Sequence, residues 1–407
     1  MFVDIFLTTV GALALLVAAF SAFIPRLPLS GPLVALAVGV LIGPAVLGVI
    51  DLPTVVEGHR EVHEISRVLL AVSVMAVALR YPFRTARTRL KPVLLLLAVA
   101  MPVMALCTAG VSAAFLGVGL GTAALLGAAL CPTDPVLASS VVTGGPAERS
   151  IPARTRQVLS LESGSNDGLA LPLVLVALAV AGPMSGAEAL GESLWQVFGA
   201  LAVGALLGWA AGRAVRRGED TGSMESGPLL VFTLLLALFT LGVAGLLHAD
   251  GVLAVFVSGL VFNATSPAGE RMDENKVDEA VNRFVVLPLF VVLGAMLPWT
   301  QWRELGPGAV LFVLGVLLLR RLPVLLLLKR PLALRWRDAV FLGWFGPVGV
   351  SALLYLTMEA HRLGADPVVL AAGTLAVAAS TLAHGVSSSA GRVWYRKAAE
   401  REKEAHG

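Results

Sequence analysis

The chain has 407 residues, of which 57% are hydrophobic and 14% charged, with a formal net charge of +3. An ordinary soluble domain carries about 25% charged residues, so a water-soluble core is excluded, and the small basic excess points to no nucleic-acid partner. Apolar runs of about 20 residues, each enough to cross a hydrocarbon layer of roughly 30 Å, repeat along the chain with short polar breaks.

The composition and this spacing predict an all-α polytopic membrane protein of about thirteen spans. They fall near 5–24, 29–50, 64–79, 92–116, 120–143, 157–181, 192–213, 227–247, 249–265, 281–298, 306–328, 338–358 and 366–388. The first has no basic region before it and reads as a retained helix rather than a signal peptide. Lys and Arg fall in alternate loops: Arg80 to Lys91, Arg149 to Arg156, Lys329 to Arg337, and the tail from Arg392 to Lys403. Basic residues near span ends stay on the cytoplasmic side, which places the C-terminus inside and, with an odd count, the N-terminus outside. The membrane domain then covers 1–390 and a short cytoplasmic tail 391–407.

The third span ends in VSVMAVALRYP, a stretch with no acidic residue. The fifth is interrupted by Cys131-Pro132-Thr133-Asp134-Pro135. Proline has no N–H to donate, so Pro132 and Pro135 free the carbonyls of Ala128 and Cys131. With Thr133 and Asp134 these make a candidate hard-oxygen site.

The sixth span, LESGSNDGLALP, is the most informative segment. Each ionisable group at mid-bilayer costs roughly 2.5–3.5 kcal/mol on insertion scales and is a functional candidate by default. Helical spacing puts Ser163 and Asp167 on one stripe and Glu162 and Asn166 on the next. Asp167 with Ser163 would face the break at Thr133 and Asp134. Glu162 would face a helix that brings a positive charge, and Arg320 and Arg321 in the eleventh span are the deep basic residues available.

The twelfth span is broken by GWFGPVGV, where Pro347 frees the Gly343 carbonyl. Interrupted helices at corresponding places in two halves mark secondary transporters built from inverted repeats. The halves would be about 1–182 and 227–390, six spans each, with 192–213 as a linker helix. The charged loop at 266–280 reads as a solvated connection, and His59 and His63 lack the order and third ligand of a metal site. Ser163 and Ser165 have no G-x-S-x-G frame or deep histidine, and no phosphate-binding loop is present, so the chain reads as neither a hydrolase nor an ATP-driven pump. A channel or an ion-coupled organic-solute carrier would use the same architecture.

Together, CPTDPVLAS, LESGSNDGLALP and GWFGPVGVSALLY resemble the sodium/proton antiporters of the cation:proton antiporter superfamily, in particular the NhaP-like branch. The resemblance implies crossed discontinuous helices five and twelve, a homodimer in the plasma membrane, and no cofactor beyond the transported ions. It implies that Asp167 binds a monovalent cation (Na+, with Li+ or K+ as alternatives) and a proton in turn, with Ser163, Thr133 and Asp134 completing or supporting the site. Asn166 would hold the crossing helices, and Glu162 would pair with Arg321 rather than Arg320. Two positions depart from the pattern: Val77 stands where many relatives place an acidic residue, and Val348 where the motif often has arginine. Asn rather than Asp at 166 leaves one exchangeable carboxylate, so the expected exchange is electroneutral and one for one.

Overall fold

The computed structural model describes residues 29–182, 184–221, 229–266, 286–364 and 366–404. The span expected at 5–24, the loop at 267–280 and the first residues of the 281–298 span lie outside them. Among the described residues the regular structure is helical, and five helices are long and apolar enough to cross a membrane, or six if one bent pair is a single span. The longer helices are α1 (Gly31–Ile42), α2 (His59–Leu79), α3 (Leu90–Leu116), α4 (Leu120–Ala129), α5 (Ala153–Leu169), α6 (Leu171–Ala181), α7 (Gly186–Asp220) and α8 (Leu229–Leu246). They continue as α9 (Gly251–Thr265), α10 (Leu287–Ala295), α11 (Gly308–Leu319), α12 (Leu322–Leu327), α13 (Trp336–Trp344), α14 (Val350–Leu363) and α15 (Pro367–Glu404).

Several expected spans are pieces rather than rods, and proline explains each break. The fifth is α4 followed by an irregular stretch through the two prolines, and the twelfth is α13 and α14 separated by 345–349. The sixth bends by 40° between α5 and α6, where Pro172 cannot donate to the Gly168 carbonyl. The eleventh divides at Arg320 and Arg321, just ahead of Pro323. The expected span 249–265 is the regular helix α9, with Asp250 as its N-cap accepting from Leu253 N at 2.7 Å. The last helix runs without interruption to Glu404, so the boundary drawn at 390 falls inside a helix.

Packing follows small residues, as expected where lipid is as apolar as leucine. Gly204, Gly208 and Gly212 form a stripe on α7 that meets the backbone of α9 at Ala254 and Ser258 and the Thr265 side chain. A Cβ at any of the three would collide. On α5, Gly164 lies against Val77 and Phe256, and Gly168 against Leu253. The polar helix α5 is thereby pressed between α2 and α9, and its residues 158–168 are all buried.

Candidate functional site

The two interrupted helices meet at their breaks. Asp134 N donates to Pro347 O at 2.9 Å, and the Asp134 carboxylate accepts from Val136 N (2.7 Å), Leu137 N (2.9 Å) and Val350 N (2.6 Å). Asp134 therefore caps the start of α14 and the turn after the α4 break at once, placing a negative charge on N–H groups that would otherwise be orphaned. Gly349 is required here, because a Cβ would strike the Asp134 side chain.

The opposite pole is Arg320. Its Nη1 donates to the carbonyls of Leu130 (3.0 Å), Cys131 (3.1 Å) and Pro132 (3.2 Å), and its Nη2 donates to the carbonyl of Gly346. Those carbonyls end the first halves of both broken helices, where the dipole favours a cation. The supposed hard-oxygen site is thus rearranged: the Cys131 carbonyl belongs to Arg320, and the Asp134 carboxylate to backbone N–H groups. Arg320→Gln is expected to leave some of these buried carbonyls unpaired and to destabilise by about 1–3 kcal/mol, read as a lower melting temperature in detergent.

Arg321 takes a different partner. Its Nη1 and Nη2 each donate to Glu162 at 2.7 Å, a bidentate pair, while its Nε donates to Leu342 O at 2.8 Å. Asn166 stands between the two systems: its Nδ2 donates to Thr133 Oγ1 (2.9 Å) and Glu162 Oε1 (3.3 Å), and its Oδ1 accepts from Thr133 N (3.2 Å). Thr133 Oγ1 also lies 3.0 Å from Ser163 Oγ.

Asp167 is left apart from this network. It is fully buried, and among the described residues neither carboxylate oxygen receives a hydrogen bond. Ser163 lies one turn before it, and the Ser351 hydroxyl of α14 faces it at the edge of hydrogen-bonding reach. Tyr355, one turn after Ser351, donates to the Asp167 carbonyl and, at 3.3 Å, to the Gly168 carbonyl freed by Pro172. The result is a buried carboxyl group beside the Ser351 hydroxyl, held by backbone contacts to a broken helix. Such a group can take a proton or a small monovalent cation, but not both.

Val77 is 1% exposed and packs on Gly164, next to Ser163, so that side of the site is apolar. Val348, also buried, uses its N–H on Ser380 Oγ at 2.8 Å. Sequence reasoning missed Ser351 and Tyr355; the only signal was their position just after the GPVG break. His59 and His63 both pack against His361, at ring centroid distances of 5.4 and 4.9 Å, and no cluster among the described residues is arranged to hold a metal.

Comparison with known proteins gives three findings. The family model described as sodium/hydrogen exchanger, transmembrane, matches residues 11–390. A Zygosaccharomyces rouxii protein named Na+/H+ antiporter 2 is 34% identical over 311 residues, 71% of this chain but 38% of that protein. A protein of Shewanella sp. strain MR-4 named K+/H+ antiporter NhaP2 is 24% identical over 323 residues, 79% of this chain and 55% of its own. The chain thus spans well under two thirds of these relatives. The sodium proton antiporter MjNhaP1 from Methanocaldococcus jannaschii, solved at pH 8, has the same fold, with a TM-score of 0.78 at 18% identity over 97% of this chain and 99% of that one. With the family model covering nearly the whole length and the crossed helices in place, the chain belongs to the sodium/hydrogen exchanger family of transmembrane proteins.

Proposed function

We propose that this protein exchanges a monovalent cation for H+ across the membrane, one for one, with Asp167 as the shared site. The observation that carries the reading is the Asp167 carboxylate, fully buried and, among the described residues, with no charged partner and only the Ser351 hydroxyl beside it. Burying an isolated charge is too costly to sustain, so the group is neutralised by a proton or by a cation, and competition between them produces exchange. Asn166 is spent on Thr133 and Glu162, and Glu162 on Arg321, which leaves one carboxylate to exchange and makes the cycle electroneutral. Ser163, Ser351 and Thr133 supply neutral oxygens, while Asp134, Asn166 and the Glu162–Arg321 pair hold the frame.

Alternating access would come from rocking one repeat-built bundle against the rest around this site, with halves of about 1–182 and 227–390 and α7 linking them. The proposed orientation puts the basic ends inside. Arg154 bonded to the Leu332 and Ala333 carbonyls, Arg337 to Glu402 and Arg392 to the Ser140 carbonyl gather on one face, while Glu192–Arg362 and the three histidines gather on the other. We place the protein in the plasma membrane as a homodimer. The relatives' names divide between Na+ and K+, so cation choice is the quantity to measure. In proteoliposomes with an imposed pH gradient, Na+, Li+ and K+ added in parallel should collapse the gradient to different extents. Clamping the membrane potential at zero should leave the rate unchanged. No response to any of the three cations would defeat the proposal, and a current scaling with voltage would favour a channel.

A further inference from the structure

Glu359 is a second acidic side chain sealed inside the protein, and the exchange site makes no use of it. It lies on α14, two turns beyond Ser351, is 1% exposed, and among the described residues neither of its carboxylate oxygens has a hydrogen-bond partner. The charged neighbours in sequence are engaged elsewhere: Arg362 pairs with Glu192 at 2.5 Å, and His361 packs on His59 and His63.

Glu359 borders a cavity of about 10 Å³ walled by Leu125 of α4, Leu356 and Ala360 of its own helix, and Val369 and Leu370 of α15. That volume holds a single water at most. Leu125, Leu363, Gly364 and Asp366 line both this cavity and an open pocket of about 480 Å³ that reaches Gly119 and Thr122. The buried carboxyl thus borders a cavity that shares part of its wall, Asp366 included, with the open pocket. The titratable groups near it are Asp366 on the loop before α15 and Cys131 at the α4 break; α15 adds none to the cavity wall. Among the described residues Asp366 is the one other acidic side chain lining the cavity, and the space does not admit a cation with its ligands.

We infer that Glu359 is a second proton-binding site, separate from Asp167 and loaded through the pocket beside Asp366. An ionised carboxylate without a donor in an apolar cage is too costly to persist, whereas a single water can carry a proton in and out. The site regulates rather than transports. Glu359 rides on the helix whose first N–H is held by Asp134 and whose Ser351 and Tyr355 face Asp167. Ionisation would draw water between α4 and α14 and loosen the helix that positions Asp167.

This rests on the exchange reading for its consequence but not for its test. Infrared spectra of purified protein report the carbonyl stretch of a protonated carboxylic acid without any transport. In an Asp167→Asn background, adding Glu359→Gln should remove one such band present at neutral pH; identical spectra would overturn the inference. If Glu359→Gln fails to fold, Glu359→Asp keeps the carboxyl and must shift the same band. In proteoliposomes, Glu359→Gln should still exchange, with half-maximal cation concentration unchanged but a displaced pH profile. A profile superimposable on the parent protein would remove the regulatory role, as would complete loss of exchange by the folded variant. Failure of the Asp167 reading would show instead as exchange surviving Asp167→Asn, whatever the spectra give.

Discussion

Asp167→Asn is expected to reduce cation-dependent proton movement in proteoliposomes to the leak of empty vesicles, with the protein still folded. The amide keeps the volume and the contacts of the backbone carbonyl to Tyr355, but it cannot alternate between a proton and a cation. Stability should be equal or higher, because the substitution removes a buried carboxylate that, among the described residues, has only the Ser351 hydroxyl beside it and sits near the charges of Asp134 and Glu162. A second readout separates site from scaffold. A ligand at 100 times its dissociation constant stabilises by about 2.7 kcal/mol, so the cation should raise the melting temperature of the parent protein and leave Asp167→Asn unmoved. A variant that still exchanges, or still melts later with cation, would remove Asp167 from the centre of the mechanism.

How much of this was legible beforehand depends on where each residue's meaning resides. Asp167 and Glu162 stood out because a carboxylate in an apolar run is expensive wherever the helix packs. The breaks were legible because Pro132, Pro135 and Pro347 remove donors regardless of context. Asp134 and Arg320 were not. Asp134 reads as a ligand from its neighbours alone, and nothing near it in sequence shows that its oxygens also accept from three backbone N–H groups, two in the turn that follows it and one, Val350 N, 216 residues away at the start of α14. Arg320 resembled a rival of Arg321 for Glu162, yet its partners are carbonyls that exist as acceptors only because two helices stop there. Glu359 was invisible for a related reason. Lying beside His361 and Arg362, it reads as the wet end of a span, and packing with Leu125 of the distant α4 and with Val369 and Leu370 of the next helix buries it. The bends at Ala170 and Arg321 were within reach, since each precedes a proline by two residues, but an apolar run hides a kink from a reading by length.

Glu162→Gln is expected to cost about 3–5 kcal/mol, the penalty for breaking a buried pair by removing one partner, and to show it as melting rather than as altered cation affinity. Both side chains are 2% exposed and the two contacts are 2.7 Å each, so water cannot replace the lost charge on Arg321. The guanidinium would keep its bond to Leu342 O, which anchors it in place and prevents escape toward solvent. Arg321→Met alone should be similarly damaging, since among the described residues Glu162 would then retain only the Asn166 amide at 3.3 Å. The double variant Glu162→Gln/Arg321→Met should lose less than the sum of the two single losses, because no bare charge is left behind. If the energies simply add, the two residues do not act as a pair. If Glu162→Gln weakens cation binding at unchanged melting, Glu162 is a ligand, and the site holds two exchangeable carboxylates. That outcome would bear directly on stoichiometry: two carboxylates can carry two protons against one cation, and exchange would then respond to membrane potential. The melting of one variant therefore tests both what holds α5 against the arginine of the eleventh span and whether transport is electroneutral.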